Sequence, residues 1–218
     1  MDGTCKANDD MAGVDYSQNG EQAHILHYLD TIGIKDGHLV DLGAGDGRTM
    51  SNTRALIERG WTGDLYDGDP KGAKDVTKQW ITRESVTAIL DCRCKFLNID
   101  IDGNDYWILD AMLKNTACVP DLIVAEINPI FGRDEKVVMP YNGSHVWQGD
   151  TYYGMSLAAL EELGKRYHYT LAYLHAGINA FLVFDSVLEE HPELIRPIEY
   201  KVKRDHAPHP PEKEWQRL

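Results

Sequence analysis

The stretch Val40-Asp41-Leu42-Gly43-Ala44-Gly45-Asp46-Gly47 decides the fold. It closes a short apolar strand, His38 to Leu42, and leads into a helical pattern from Ser51 to Arg59, with Ser51 or Asn52 as the N-cap. A strand that turns through glycines into a helix lets a ligand approach bare backbone. The loop lacks the GK[ST] ending of a phosphate-binding loop, which disfavours nucleoside triphosphates. Asp41 suits a cationic ligand better than a pyrophosphate. The next strand, Gly63 to Asp67, ends in an acid about twenty residues on, where a carboxylate can accept from a ribose diol. Asp69 is a second candidate. A dinucleotide fingerprint would carry its third glycine where Arg48 stands, and Asp46 would repel a pyrophosphate. S-adenosylmethionine, with a sulfonium and an ammonium, fits this acidic loop better.

Outward from the loop, short apolar strands alternate with helical patterns. Glu21 to Ile32 has a helix-like apolar face. Strands are expected at Val76 to Ile81, Lys95 to Ile101 and Asp121 to Ile127, and helices at Arg83 to Leu90, Tyr106 to Leu113 and Met155 to Tyr167. Such alternation implies an α/β fold, a doubly wound and mainly parallel sheet covered on both faces. Tyr169 to Leu174 and Asn179 to Phe184 are joined by only His175-Ala176-Gly177-Ile178, so they form an antiparallel hairpin at one edge.

The chain has 218 residues, a length for one domain. With 22 Lys and Arg against 35 Asp and Glu, its formal charge of −13 repels phosphate backbones and speaks against nucleic-acid binding. No apolar run approaches the ~18–20 residues of a membrane span, and the acidic head has neither signal-peptide nor transit-peptide character. A cytoplasmic protein is expected. Cys5, Cys92, Cys94 and Cys118 form no CxxC pair and read as reduced thiols. The expected organisation is a flexible head (1–15), one domain (16–186) and a proline-rich charged tail (187–218). The tail's last dozen residues read as poorly ordered or as an arm for a partner, a second copy included.

Several motifs together resemble the FkbM-type branch of class I S-adenosylmethionine-dependent methyltransferases. They are Ser17-Gln18-Asn19-Gly20-Glu21, the glycine loop, Ser51-Asn52-Thr53 with Gly60-Trp61-Thr62-Gly63, Asp67-Gly68-Asp69-Pro70, and Ile99-Asp100-Ile101-Asp102-Gly103 running on to Trp107. The resemblance spans about Tyr16 to Phe184. It implies a seven-stranded Rossmann-like sheet with S-adenosylmethionine over the strand ends. Asp41, Gly43 and Gly45 would line its methionine side and Asp67 its ribose, with Gln18, Asp46, Asn52, Asp69 and Asp100 as further cofactor candidates. The family's D-x-E-G appears here as Asp100-Ile101-Asp102-Gly103, with a shorter second acid. The implied activity is O-methylation of a hydroxyl on a sugar or small-molecule natural product.

Methyl transfer needs alignment, plus a base for a hydroxyl nucleophile. Asp102, Glu126 and His145 are the catalytic candidates. Asp100 and Asp102 alternate along an expected strand, so only one should face the ligand. Glu126 and Asn128, at the end of the DLIVAEI strand, could join Asp102 in an oxygen-rich divalent-metal site. Residues 128–153 read as a long insertion, a substrate loop or lid. It offers Asn128, Arg133, Tyr141, Trp147 and Tyr153 to a small-molecule or glycan substrate. Two other readings stand beside this one. Asn128-Pro129 could serve an amine-directed methyltransferase, or the fold could be an assembly subunit without turnover.

Overall fold

A computed structural model of the chain describes residues 14–89, 93–114 and 119–218. Residues 1–13 of the expected head, and Cys5, Cys92 and Cys118, lie outside the described residues; Cys94 is buried, and its thiol donates to Phe96 O (3.2 Å). The elements are α1 (Glu21–Thr31), β1 (His38–Leu42), α2 (Arg54–Glu58), β2 (Thr62–Asp67), β3 (Thr77–Lys78), α3 (Arg83–Val86), β4 (Cys94–Ile99), α4 (Asp105–Leu113), β5 (Leu122–Glu126), β6 (Val137–Val138), α5 (Leu157–Arg166), β7 (Tyr169–His175), β8 (Asn179–Phe184), α6 (Asp185–Glu190) and β9 (Gln216–Arg217).

Seven strands form one sheet in the order β3-β2-β1-β4-β5-β8-β7. The first five are parallel, β8 runs antiparallel to β5, and β7 pairs antiparallel with β8. The short β7–β8 connection therefore makes the expected hairpin, with β8 inserted beside β5 and β7 left at the edge. Alternating side chains build two cores. Leu39, Phe96, Val124 and Phe181 pack with α1 and α2 on one face. Val40, Leu42, Leu97, Ile99 and Ile123 pack with α4 and α5 on the other. Strand order reverses between β1 and β4, so a crevice opens beyond their carboxyl ends, where ligands of doubly wound sheets bind.

Two expected elements shrink. The strand at Val76 to Ile81 keeps only Thr77–Lys78, and the helix from Arg83 stops at Val86. Both carry mixed sequence with little apolar periodicity, so tertiary contacts set their ends. The tail differs more. Its final residues pair as β9 against β6 of the insertion, and the Leu218 N–H donates to Lys136 O (3.0 Å). Lys213 bridges Asp150 (2.9 Å), and Trp215 packs on Phe131 and Tyr152. The segment that composition marks as disordered is thus a strap on its own chain, because residues 128–153 supply the polar and aromatic partners it lacks alone. No helix among the described residues is long and apolar enough to cross a membrane.

Candidate functional site

The glycine loop rests on the ends of its neighbours. Gly43 and Ala44 N–H both donate to Tyr66 O (2.9 and 3.0 Å), and Gly45 N–H donates to the Asp67 carboxylate (2.8 Å). Gly43 has φ +91, and a Cβ there would fall 1.6 Å from the Asp100 carbonyl oxygen. The loop after β1 and the acid turn after β4 are therefore in direct contact. Gly45, at φ +58, has nothing within 4 Å of an added Cβ, so bare backbone faces open space.

Asp41 lies beneath this loop rather than on its surface. It is 1% exposed, and accepts from Thr53 Oγ1 (2.6 Å) and Asn98 Nδ2 (2.8 Å). Asn98 accepts in turn from Asn52 Nδ2 (3.0 Å). Parallel register sets Asp41 beside Asn98, and the Ser51-Asn52-Thr53 turn closes the network. Asp41 and Asn52, expected at the cofactor, thus hold the loop from below. Asp67 is likewise engaged by Gly45 N–H and by Asp69 N–H (2.6 Å), Asp46 accepts from its own turn, and Asp69 stands exposed.

Asp100, Asp102 and Glu126 each bring one carboxyl oxygen within 4.8 Å of the others. The strict strand alternation expected for the first two fails because β4 stops at Ile99. Asp102 then takes a left-handed φ of +54, which turns it back toward Asp100. Asp105 fixes this turn by accepting from the Ile101 and Gly103 N–H groups (both 2.9 Å). Burial, then the neighbouring acids, lifts Asp100 and Glu126 well above the carboxylate range. Such a pair holds a proton between its members. Burial, Asp105 and Asp67 push Asp102 up to about 6. Glu126 Oε2 is buried without a hydrogen-bond partner. These three oxygens are the set that could hold a divalent cation.

Asn128, the neighbour of that set in sequence, is engaged elsewhere. It is fully buried, its amide donates to Thr151 O (3.0 Å) and Tyr153 O (2.8 Å), and its oxygen accepts from Ile130 N–H (3.3 Å). Through these bonds it clamps the insertion to the end of β5. Arg133 is turned away in a two-point ion pair with Glu161 of α5 (2.5 and 2.9 Å). Tyr141 sits on α3, where its hydroxyl accepts from the Arg83 N–H (3.2 Å). His145 does reach the site, because Asn104 bonds both backbone groups of Asn142 (2.8 and 3.1 Å). Its ring would lie 2.5 Å from a Cβ on Gly103, and its buried Nε2 has no hydrogen-bond partner. Burial, then Lys213, keeps this imidazole below the usual histidine range and so neutral near pH 7.

A cavity of about 220 Å³ opens beside Glu126 and Tyr153. Gln18, a cofactor candidate, lines this cavity. Trp147 borders the region through His206 (4.9 Å) and Tyr153 (6.0 Å). Lys203, Asp205 and His206 of the strap are the residues that sequence reasoning missed, as no spacing connects them to Glu126. Trp80 was missed too. Its indole would lie 2.6 Å from a Cβ on Gly68 and donates to Gly143 O (2.7 Å). The Gly68-Asp69 turn, flagged for the ribose, was the signal beside it.

The buried acids set a pH dependence. Burial pushes Asp41 up to about 6, against the donors Thr53 and Asn98. A carboxyl whose folded value exceeds its unfolded value near 4 binds its proton more tightly when folded, so stability falls as pH rises from about 4 to about 6. At about 1.4 kcal/mol per unit, two units amount to roughly 3 kcal/mol for Asp41 over the whole range. Asp46, Asp110 and Asp150, held below their usual range, withdraw stability only in more acidic solution. The melting temperature should therefore be higher near pH 5 than near pH 7.5, by roughly 4 °C or more. Asp41→Asn, whose oxygen can accept from Asn98 and whose amide can donate to the Thr53 hydroxyl in place of accepting from it, should shrink the difference. Equal melting temperatures would contradict this account.

No protein-family model matches the chain, and no curated protein matches it. Among solved structures it is similar to the Burkholderia thailandensis 1,6-didemethyltoxoflavin-N1-methyltransferase with bound 1,6-didemethyltoxoflavin and S-adenosylhomocysteine. That likeness has 14% identity over 75% of this chain and 74% of that one, with a TM-score of 0.44. It is also similar to the N-terminal domain of EvdMO1 with S-adenosylhomocysteine bound (13% identity, 77% and 80% of the chains, TM-score 0.45). A third is an O-methyltransferase family protein from Burkholderia thailandensis (10% identity, 75% and 56%, TM-score 0.41). Likenesses this distant bear on neither activity nor substrate.

Proposed function

We propose that the chain is an S-adenosylmethionine-dependent methyltransferase of the FkbM type that methylates a hydroxyl of a sugar or other small molecule. One observation carries the reading: the glycine loop after β1 touches the Asp100–Asp102 turn after β4, at the point where strand order reverses. Bare backbone at Gly45 and the acids Asp67, Asp100 and Asp102 suit a ligand with a sulfonium and an ammonium. S-adenosylmethionine supplies an activated methyl group and is released as S-adenosylhomocysteine.

The chain's own groups handle the acceptor. Asp102, with its value near 6, takes the hydroxyl proton as the oxygen forms its new bond to the methyl carbon. His145, neutral beside Gly103, orients that hydroxyl through its unpartnered Nε2. Glu126 faces the acceptor with an unpartnered oxygen. A divalent cation on Asp100, Asp102 and Glu126 would displace the proton that the pair shares, and a chelator should then lower activity.

Calorimetric titration with S-adenosylhomocysteine tests the reading. Saturable binding, lost on Gly45→Val, is the expected result. No heat at near-millimolar ligand would overturn it.

A further inference from the structure

Two glycines at the lips of the crevice lack a side chain for a reason other than backbone conformation. Neither Gly68, in the turn after β2, nor Gly103, in the turn after β4, has a left-handed φ. Each instead makes room for a ring from elsewhere. A Cβ on Gly68 would fall 2.6 Å from the Trp80 indole, and one on Gly103 would fall 2.5 Å from the His145 imidazole. One turn of the insertion ties the two rings together. Trp80 Nε1 donates to Gly143 O (2.7 Å), and His145 N–H donates to Asn142 O (2.9 Å).

Strand order places β1 between β2 and β4. A segment anchored on the exits of β2 and β4 therefore crosses the mouth of β1, where the glycine loop presents bare backbone at Gly45. Residues 142–145 thus roof that loop. The roof has little of its own to hold it, since Asn142, Ser144 and the following Val146 are exposed. On the β4 side Asn104 bonds both backbone groups of Asn142. On the β2 side the indole N–H holds Gly143, and Tyr141 just before it packs under the Arg83 guanidinium (5.3 Å).

Trp80 is the fixed half of this contact. Its chain is pinned on one side by Gln79 N–H donating to Asp67 O (2.8 Å), and on the other by Ser85 Oγ donating to Trp80 O (3.4 Å). Of the five tryptophans it alone is exposed, at 47%. A hydrogen bond at so open a place can be exchanged for one to water at small net cost, which is what a reversible fastening requires.

We propose that Trp80 latches residues 142–145 over the cofactor crevice, so that the ligand of the glycine loop leaves when the Trp80–Gly143 bond opens. Trp80 is thereby a positioning residue for His145, which rides on the same turn. That the roofed ligand is S-adenosylmethionine rests on the methyltransferase reading; the latch itself does not.

Two measurements on the full chain test this: hydrogen exchange across residues 141–147 without ligand, and release of S-adenosylhomocysteine followed by surface plasmon resonance. Trp80→Phe keeps an aromatic ring and removes the donor. Gly68→Ala keeps the donor and drives the indole from its seat, at an ordinary φ that alanine adopts without strain. Each should raise exchange across 141–147 and speed release roughly fivefold or more, the worth of about one hydrogen bond. The double variant should release no faster than either single one, because both break the same contact. Trp80 is exposed, so its replacement leaves the fold intact and decides the matter if Gly68→Ala misfolds. Unchanged exchange, or unchanged release of a ligand that still binds, would overturn the latch. Failure of the unsubstituted chain to bind S-adenosylhomocysteine would instead overturn the methyltransferase reading, and the exchange measurement would then decide the latch alone.

Discussion

Gly43→Ala is expected to leave the chain largely unfolded or unable to bind S-adenosylhomocysteine. A Cβ at this position falls 1.6 Å from the Asp100 carbonyl oxygen and 2.6 Å from its carbon, which are backbone atoms of β4's exit and cannot rotate away. The φ of +91 adds strain for any residue with a side chain. Relief would require parting the glycine loop from the acid turn, and with it the hydrogen bonds of Gly43 and Ala44 to Tyr66 O. A loss of at least about 3 kcal/mol follows, in the range of severe single substitutions. Gly45→Ala is the control, because its Cβ meets nothing within 4 Å. It should cost only the strain of a left-handed alanine, about 1 kcal/mol. Urea denaturation compares the two. Equal midpoints would show that the loop and the β4 turn are not packed as described.

The second large effect is on turnover. Asp102→Asn should lower methyl transfer by about 10²–10⁴-fold, the usual contribution of a positioned base. Asparagine tolerates the left-handed φ of +54 as aspartate does, so the change removes basicity with little strain. The same geometry gives a physical reason for aspartate where the resembled family carries glutamate. Asp102→Glu should therefore fold less well and recover only part of the activity. Transfer from tritiated S-adenosylmethionine to a mixture of small hydroxylated acceptors, with affinity for S-adenosylhomocysteine measured in parallel, separates catalysis from binding. Unchanged turnover in Asp102→Asn would assign the base to another group, His145 being the nearest candidate.

The strands, the glycine turn and the hairpin were legible because each depends on local spacing. Apolar runs of about five residues make strands, and four residues between Leu174 and Asn179 cannot hold a parallel crossover. The acids Asp100, Asp102 and Glu126 were legible as candidates because carboxyls at the mouths of apolar strands are costly without a purpose. Their convergence was not, since it depends on β4 ending at Ile99 and on one left-handed residue. For Asp41 and Asn52 the sequence shows polar residues beside the loop but not their partners. Only the parallel register, which sets Asp41 beside Asn98, shows that both point into a buried network.

Local pattern was enough for a doubly wound sheet, a glycine turn after its first strand and acids at the strand ends, because periodicity and glycine placement act over a few residues. The tertiary structure alone decided which side chains share a space. It brought His145 onto Gly103, withdrew Asn128, Arg133 and Tyr141 into structural contacts, and folded the tail across the insertion to wall a cavity at Glu126. Those contacts join residues dozens of positions apart, and the energy that selects them comes from packing and hydrogen bonds that no local pattern encodes.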